Sequence, residues 1–210
     1  MHAESLLDIA MLHADTLIEK ARKGDEKALN QLVSLWYKRI FNYVLKYCSD
    51  NDAATEISQK TFIAMFRNIA KLKEVDRFKP WLYRIATNFC YEEGRRIKRD
   101  KTISLTITND DNTEHQAEAG EAKGNYFNPE KNFQQLELEQ ILLSALGELS
   151  EDQRTVVIMK EYEGLKFTEI AEALDASENT VKTRLYRGLK SLKEILERKN
   201  ITKETVYYEL

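Results

Sequence analysis

Cysteine, proline and glycine are scarce: two, two and seven among 210 residues. Two cysteines exclude a disulfide framework, and no Cys/His spacing matches a zinc site. Cys48 and Cys90 are therefore expected as buried, reduced thiols. With so few breakers and almost no period-two alternation, the chain should be all-α. Long apolar runs are missing too, and the start, MHAESLLDIAMLHAD, has no basic segment followed by an apolar core. A chain without a span or a signal is expected in the cytoplasm. The formal net charge of -3 argues against coating nucleic acid by bulk charge, so any such contact must come from local basic patches. No phosphate loop of GKS/T type occurs, His2, His13 and His115 are scattered, and no nucleophile–base pair stands out. Neither an enzyme nor a cofactor is expected. The acids Asp110, Asp111, Glu114, Glu118 and Glu121 lack the ligand spacing of a calcium loop, so no metal is expected either.

What is present is organised around TEIAEALDASENTVKTRLYR, Thr168 to Arg187. Thr168 can cap a short helix whose Ile170, Ala171 and Leu174 fall on one face. Asp175-Ala176-Ser177 interrupts the pattern, with Asp175 where a left-handed residue is wanted and Ser177 able to cap a second helix. Val181, Leu185 and Leu189 then repeat every four positions. Two short helices at a tight turn are helix-turn-helix geometry. The polar face of the second carries Asn179, Thr180, Lys182, Thr183, Arg184 and Arg187, residue types that reach bases and phosphates from a major groove. A solvated face on an ordinary hairpin is the alternative.

Upstream, Glu4 to Arg22 is a weakly amphipathic lead-in, and Asp25 can cap a core helix running from Ala28 to Tyr47. After the cap-rich Ser49-Asp50-Asn51-Asp52, a second helix runs from Ala53 to Ile69. Its polar side shows Asp52, Glu56, Gln59 and Lys60, either solvated or a docking surface. A charged loop, Ala70 to Lys79, leads to Pro80 and to a helix from Trp81 to about Lys101, with Trp81, Ile85 and Phe89 expected inward. Its second half, EEGRRIKRDK, is strongly cationic. It is either a solvated helix end or, beside Trp81, Tyr83 and Arg84, a grip for a nucleic-acid backbone and unpaired bases. Thr102 to Asn132 loses all periodicity and reads as a flexible acidic linker. Helical spacing resumes at Phe133, and Ser150 with Gln153 forms a capping box before a helix that Gly164 ends.

The chain resembles the extracytoplasmic-function (ECF) class of sigma-70-family sigma factors from about Leu17 to Leu196. FKPWLYRIATNFCYEEGRR is similar to the segment that melts promoters and reads the minus-ten element. LGELSEDQRTVVIMKEYEGLKFTEIAEALDASENTVKTRLYRGLKSLK is similar to the domain that reads the minus-35 element. Asn51 to Phe66 resembles the helix that docks on the coiled coil of the polymerase's largest subunit. Departures are Asp175 where Gly is usual, Glu92 where Asp is, Thr87 where Arg is frequent, and Ser58 and Lys60 where Val and Glu are common. Thr87 and the Glu92-Glu93 pair are expected to alter how tightly single-stranded DNA is held.

The resemblance implies two small helical domains joined by the acidic linker: a leader over 1–24, a region-2-like domain over 25–101, the linker over 102–132, a helix-turn-helix domain over 133–198 and a tail over 199–210. It implies minus-35 contacts by Asn179, Thr180, Lys182, Thr183, Arg184 and Arg187. Minus-ten contacts would fall to Lys73, Arg77, Tyr83, Arg84, Asn88, Arg95 and Arg96, with the Lys71 to Lys79 loop walling the base pocket. Core-polymerase docking would fall to Asp52, Glu56, Gln59 and Lys60. Its implied partners are core RNA polymerase, promoter DNA and an anti-sigma factor, with a monomer when free, and the linker is implied to lie along the RNA exit path, the alternative being a plain flexible tether. The rival is a stand-alone helix-turn-helix regulator that needs no polymerase.

Overall fold

The structure is a computed structural model that describes residues 15–107 and 133–201. Most of the leader, the acidic cluster at 110–121, the three histidines and most of the tail lie outside these residues. A short helix α1 (15–22) precedes α2 (Glu26–Cys48), whose N-cap Asp25 accepts hydrogen bonds from the Lys27 and Ala28 amides. Ser49 closes α2 in the left-handed region, and the Asp50 carboxylate then caps α3 (Asn51–Asn68) through the Ala53 amide. Two single 3-10 turns, Ile69–Lys71 and Val75–Arg77, lead to the long α4 (Phe78–Ile107), which runs six residues beyond Lys101.

Leu32, Ile40, Tyr43 and Val44 of α2, Ile57 and Met65 of α3, and Leu82, Ala86 and Cys90 of α4 are buried together. Aromatic edges lock the seam: Tyr43 meets Tyr83 at 5.3 Å between ring centroids, and Trp36 meets Phe78 at 5.7 Å. The inward face of α4 is the row Phe78, Leu82, Ala86 and Cys90 together with Tyr83 and Thr87, whereas Trp81, Ile85 and Phe89 are only half-buried. This corrects the expected phase by one position. α4 packs on α2 and α3 along one side and on the helix-turn-helix along another, so its apolar band is wider than one row.

In the second half, α5 (Phe133–Glu148) turns at Leu149-Ser150 into α6 (Glu151–Val157). The expected capping box is not formed, because the Ser150 side chain makes no cap bond. Arg154 holds the turn instead, donating to the Gly147 and Leu149 carbonyls and, across the seam, to the Tyr47 carbonyl at 2.9 Å. A π-helical turn (Ile158–Tyr162) ends α6, and Gly164 follows at φ 63°, a region that glycine enters without steric cost. α7 (Phe167–Leu174) starts one residue before Thr168: its cap is Lys166, whose amide is held by the Glu169 carboxylate at 2.6 Å. Asp175 takes the left-handed turn (φ 51°, ψ 48°), and Ser177 caps α8 (Glu178–Arg198) through the Thr180 amide. Val181 and Leu185 are buried against α7 and α6. α8 approaches α6 so closely at Gly188 that an added Cβ would lie 2.8 Å from Val157 Cγ2.

Candidate nucleic-acid interface

With Val181, Leu185 and Gly188 buried, the 3.6-residue period turns Asn179, Thr183, Tyr186 and Arg187 outward on α8. All four are exposed, Tyr186 most prominently at 67%. Thr180 is exposed but its hydroxyl sits 2.8 Å from the capping Ser177 hydroxyl. The two remaining cations leave this row. Lys182 lies over the Phe167 ring at 5.4 Å, and Arg184 pairs with Asp152 at 2.7 Å. Tyr186 was not among the sequence-based candidates, although its place seven residues after Asn179 puts it in the same row.

On the first half, the two 3-10 turns and the start of α4 line a groove of about 440 Å³. Lys71, Lys73 and Arg77 form its basic rim, and Trp81 and Ile85 form its floor. Arg77 is ion-paired with Glu74 and reaches Glu172 at 3.7 Å. A second groove, about 590 Å³, follows the cationic end of α4, with Ile57 and Phe89 below Arg95, Arg96 and Arg99. Arg96 is shared between Glu93 (2.6 Å) and Asp100 (3.5 Å), and its hydrogen bonding holds the Glu93 carboxyl below the usual range. Glu93 is therefore spent on Arg96, and Glu92 is exposed.

Two expectations fail here. Tyr83 is 1% exposed and donates its hydroxyl to Glu163 at 2.6 Å, so no base can stack on it in this form; burial, then the Glu163 charge, raises its pKa. Thr87 is 2% exposed and hydrogen-bonded to Tyr43, so it does not set the grip on a single strand. Asn88, next to it, is exposed. Asn88 shares a cleft of about 350 Å³ with Arg84, Tyr91, Asp152 and Arg184, which brings candidates for both promoter elements into one place.

The α3 face shows Asp52, Glu56, Gln59 and Lys60 exposed, with Glu56 and Lys60 paired at 2.6 Å. The row continues into Ile63 (50% exposed) and Phe66 (51%), so its far end is apolar. Sequence reasoning missed both residues, though the 52, 56, 59, 63, 66 spacing is that of one helical stripe. Among the described residues no helix is long and apolar enough to cross a membrane, and no cluster of His, Cys, Asp and Glu is arranged to hold a metal.

The family model for Sigma-70 region 2 matches residues 32–100, and that for Sigma-70, region 4 matches 139–192. The ECF RNA polymerase sigma-E factor of Haemophilus influenzae is 31% identical over 201 residues, covering 94% of this chain and 97% of its own length. The chain belongs to the ECF class of RNA polymerase sigma factors. The Escherichia coli K12 sigma-E factor is 30% identical over 180 residues, covering 84% of this chain and 90% of its own. Among solved structures, the sigma factor RpoE of Bartonella quintana, crystallised with the anti-sigma factor NepR, superposes with a TM-score of 0.61 at 22% identity. That match covers 81% of this chain and 98% of the Bartonella chain, and it places the helical fold of this sigma factor among known ones.

Proposed function

We propose that this sigma factor binds core RNA polymerase through the exposed α3 stripe from Asp52 to Phe66 and reads a promoter at two separate places. α8 enters the major groove of the minus-35 element with Asn179, Thr183 and Arg187 toward the bases and phosphates, and with Thr180, Lys182 and Arg184 at its flanks. The groove between the 3-10 turns and α4, with Lys73 and Arg77 on its rim, and the separate cleft that holds Arg84 and Asn88 capture unpaired minus-ten bases, with Arg95 and Arg96 on the backbone. Trapping flipped bases, with no bond chemistry by this chain, drives strand opening. The observation that carries this reading is the split character of α8: one row buried against α6 and α7, the opposite row exposed and made of groups that hydrogen-bond to base edges.

The protein works in the cytoplasm, where its polymerase is. An anti-sigma factor would cover the same α3 stripe, whose apolar end, Ile63 and Phe66, is exposed among the described residues. The region-2-like domain runs to the end of α4 at Ile107, six residues past the expected bound, with the acidic linker over 108–132 and the helix-turn-helix domain over 133–198 after it. Reconstitution tests the whole reading. Core enzyme supplied with this chain should start transcripts at defined sites sharing two upstream sequence blocks, and core enzyme alone should not. Tight operator binding without core enzyme would support the stand-alone regulator instead.

A further inference from the structure

The two cysteines of the chain meet between α2 and α4. The inward row of α2 runs through Ile40 and Val44 and ends on Cys48 in the last turn, and that of α4 runs through Leu82 and Ala86 to Cys90. Two contacts set the register of these rows. The Tyr43 and Thr87 hydroxyls are 2.8 Å apart, and one turn further on the Tyr47 and Tyr91 rings lie 6.1 Å apart between centroids. Both cysteines fall at the level of that second contact, and their thiols are hydrogen-bonded to each other. Their surroundings differ. Cys90 is fully buried, and burial, then the neighbouring Cys48 sulfur, pushes its thiol pKa up and keeps it protonated. Cys48 is half-buried at the end of its helix, where a small solute reaches it. The Tyr47 hydroxyl borders Cys90, buried and without a hydrogen-bond partner among the described residues. An unpaired buried hydroxyl is costly, and an oxygen added to the sulfur pair would satisfy it.

We propose that Cys48 and Cys90 are an oxidative modification site, which peroxide converts to an internal disulfide that weakens the capture of minus-ten bases; the last consequence rests on the functional reading above. The Cys48 thiolate attacks one peroxide oxygen, the O–O bond breaks, and the leaving hydroxide takes up the thiol proton as water. Cys48 is left as a sulfenic acid, to whose oxygen the Tyr47 hydroxyl donates. The Cys90 sulfur then attacks the Cys48 sulfur, the S–O bond breaks, and the Cys90 proton leaves with that oxygen as a second water while the S–S bond forms. Two thiols have lost two electrons and two protons, and hydrogen peroxide has gained them. A dithiol reductant reverses the step, as expected of a disulfide that senses redox state inside a cell. The effect on bases follows from position. Cys90 lies two residues after Asn88 and three after Thr87. A bond in place of a contact draws the last turn of α2 onto α4, and a close-packed seam does not absorb such a shift locally. It passes to the Tyr43–Thr87 hydrogen bond and to the exposed Asn88 beside it.

The test exposes the full free chain to hydrogen peroxide, destroys the excess with catalase and only then adds core polymerase. The wild type should lose both free thiols and the mass of two hydrogens, and it should stay a single chain. Cys48→Ser should keep its remaining thiol. Cys90→Ala should stop at the sulfenic acid, with dimedone labelling of Cys48 at least tenfold above wild type. The oxidised wild type should give at least threefold fewer promoter-specific transcripts than the same sample after reduction with dithiothreitol. Peroxide should leave transcription by Cys48→Ser unchanged, which separates the thiol pair from oxidation of methionines. Thiols that survive peroxide, a bond between two chains, or equal transcription before and after reduction would overturn the proposal. The wild-type readouts need no substitution, so a variant that fails to fold does not remove them. Failure of the untreated chain to transcribe with core polymerase would count against the sigma-factor reading, while the mass and thiol count would still decide the site.

Discussion

The hydroxyls of Tyr43 and Thr87 lie 2.8 Å apart inside the seam between α2 and α4, and Thr87 also donates to the Tyr83 carbonyl at 2.7 Å. Position 87 is therefore a core position in this sigma factor. Thr87→Val keeps the shape but strands the Tyr43 hydroxyl, which should cost about 1–3 kcal/mol. Urea unfolding would measure the loss. Promoter preference should not change, whereas Asn88→Ala, at the exposed neighbour, should change promoter preference and leave stability within about 0.5 kcal/mol.

The helix-turn-helix was legible because its signals are local. Asp175 at the turn, Ser177 as cap and the Val181/Leu185 repeat all lie within a dozen residues, and the structure uses each of them that way. The phase of α4 was not legible. That helix is covered on two sides, so its apolar residues fill more than one row: Trp81/Ile85/Phe89 was expected inward, while packing buries Leu82/Ala86/Cys90. The Ser150 box failed for a related reason: Arg154, four residues on, takes the carbonyls of the turn and reaches Tyr47 in the other half. The hydrogen bond from Arg84 to the Glu172 carbonyl was invisible, since the two residues are 88 positions apart and nothing in either segment announces the other.

Gly188 is there for close approach. Gly188→Ala would gain up to about 1 kcal/mol of helix propensity but would drive its methyl against Val157 and Gln153, at a cost of about 1–3 kcal/mol. The net expectation is a lower Tm. Combining it with Val157→Ala should recover part of the loss beyond additivity, because the two changes meet at one contact.

Alkaline pH should unfold the protein through its buried tyrosines. Burial raises the pKa of Tyr43, Tyr47 and Tyr83, with the Glu163 charge adding to the shift at Tyr83. In the unfolded chain the same groups lose their protons near pH 10. Above that pH the folded state binds more protons than the unfolded one, so stability is intact below about 10 and falls as pH rises further. Tyrosinate absorbance followed together with helical circular dichroism should show these residues ionising only as the helices are lost.

The apolar end of the α3 stripe should matter for polymerase and not for folding. Ile63 and Phe66 are half exposed, so Ile63→Ser and Phe66→Ser should leave thermal stability nearly unchanged. Each should weaken binding to core polymerase about tenfold, measured by titration of labelled chain, as expected for an apolar anchor at an interface.

The most direct test of two separate reading sites is a selection from a promoter library randomised over both elements, transcribed by core polymerase with the wild-type chain, Arg187→Ala or Asn88→Ala. The wild type should recover two blocks of preferred sequence. Arg187→Ala should relax the upstream block alone and Asn88→Ala the downstream block alone. If either substitution relaxed both blocks equally, or neither block depended on these residues, the assignment of one element to α8 and the other to α4 would be wrong.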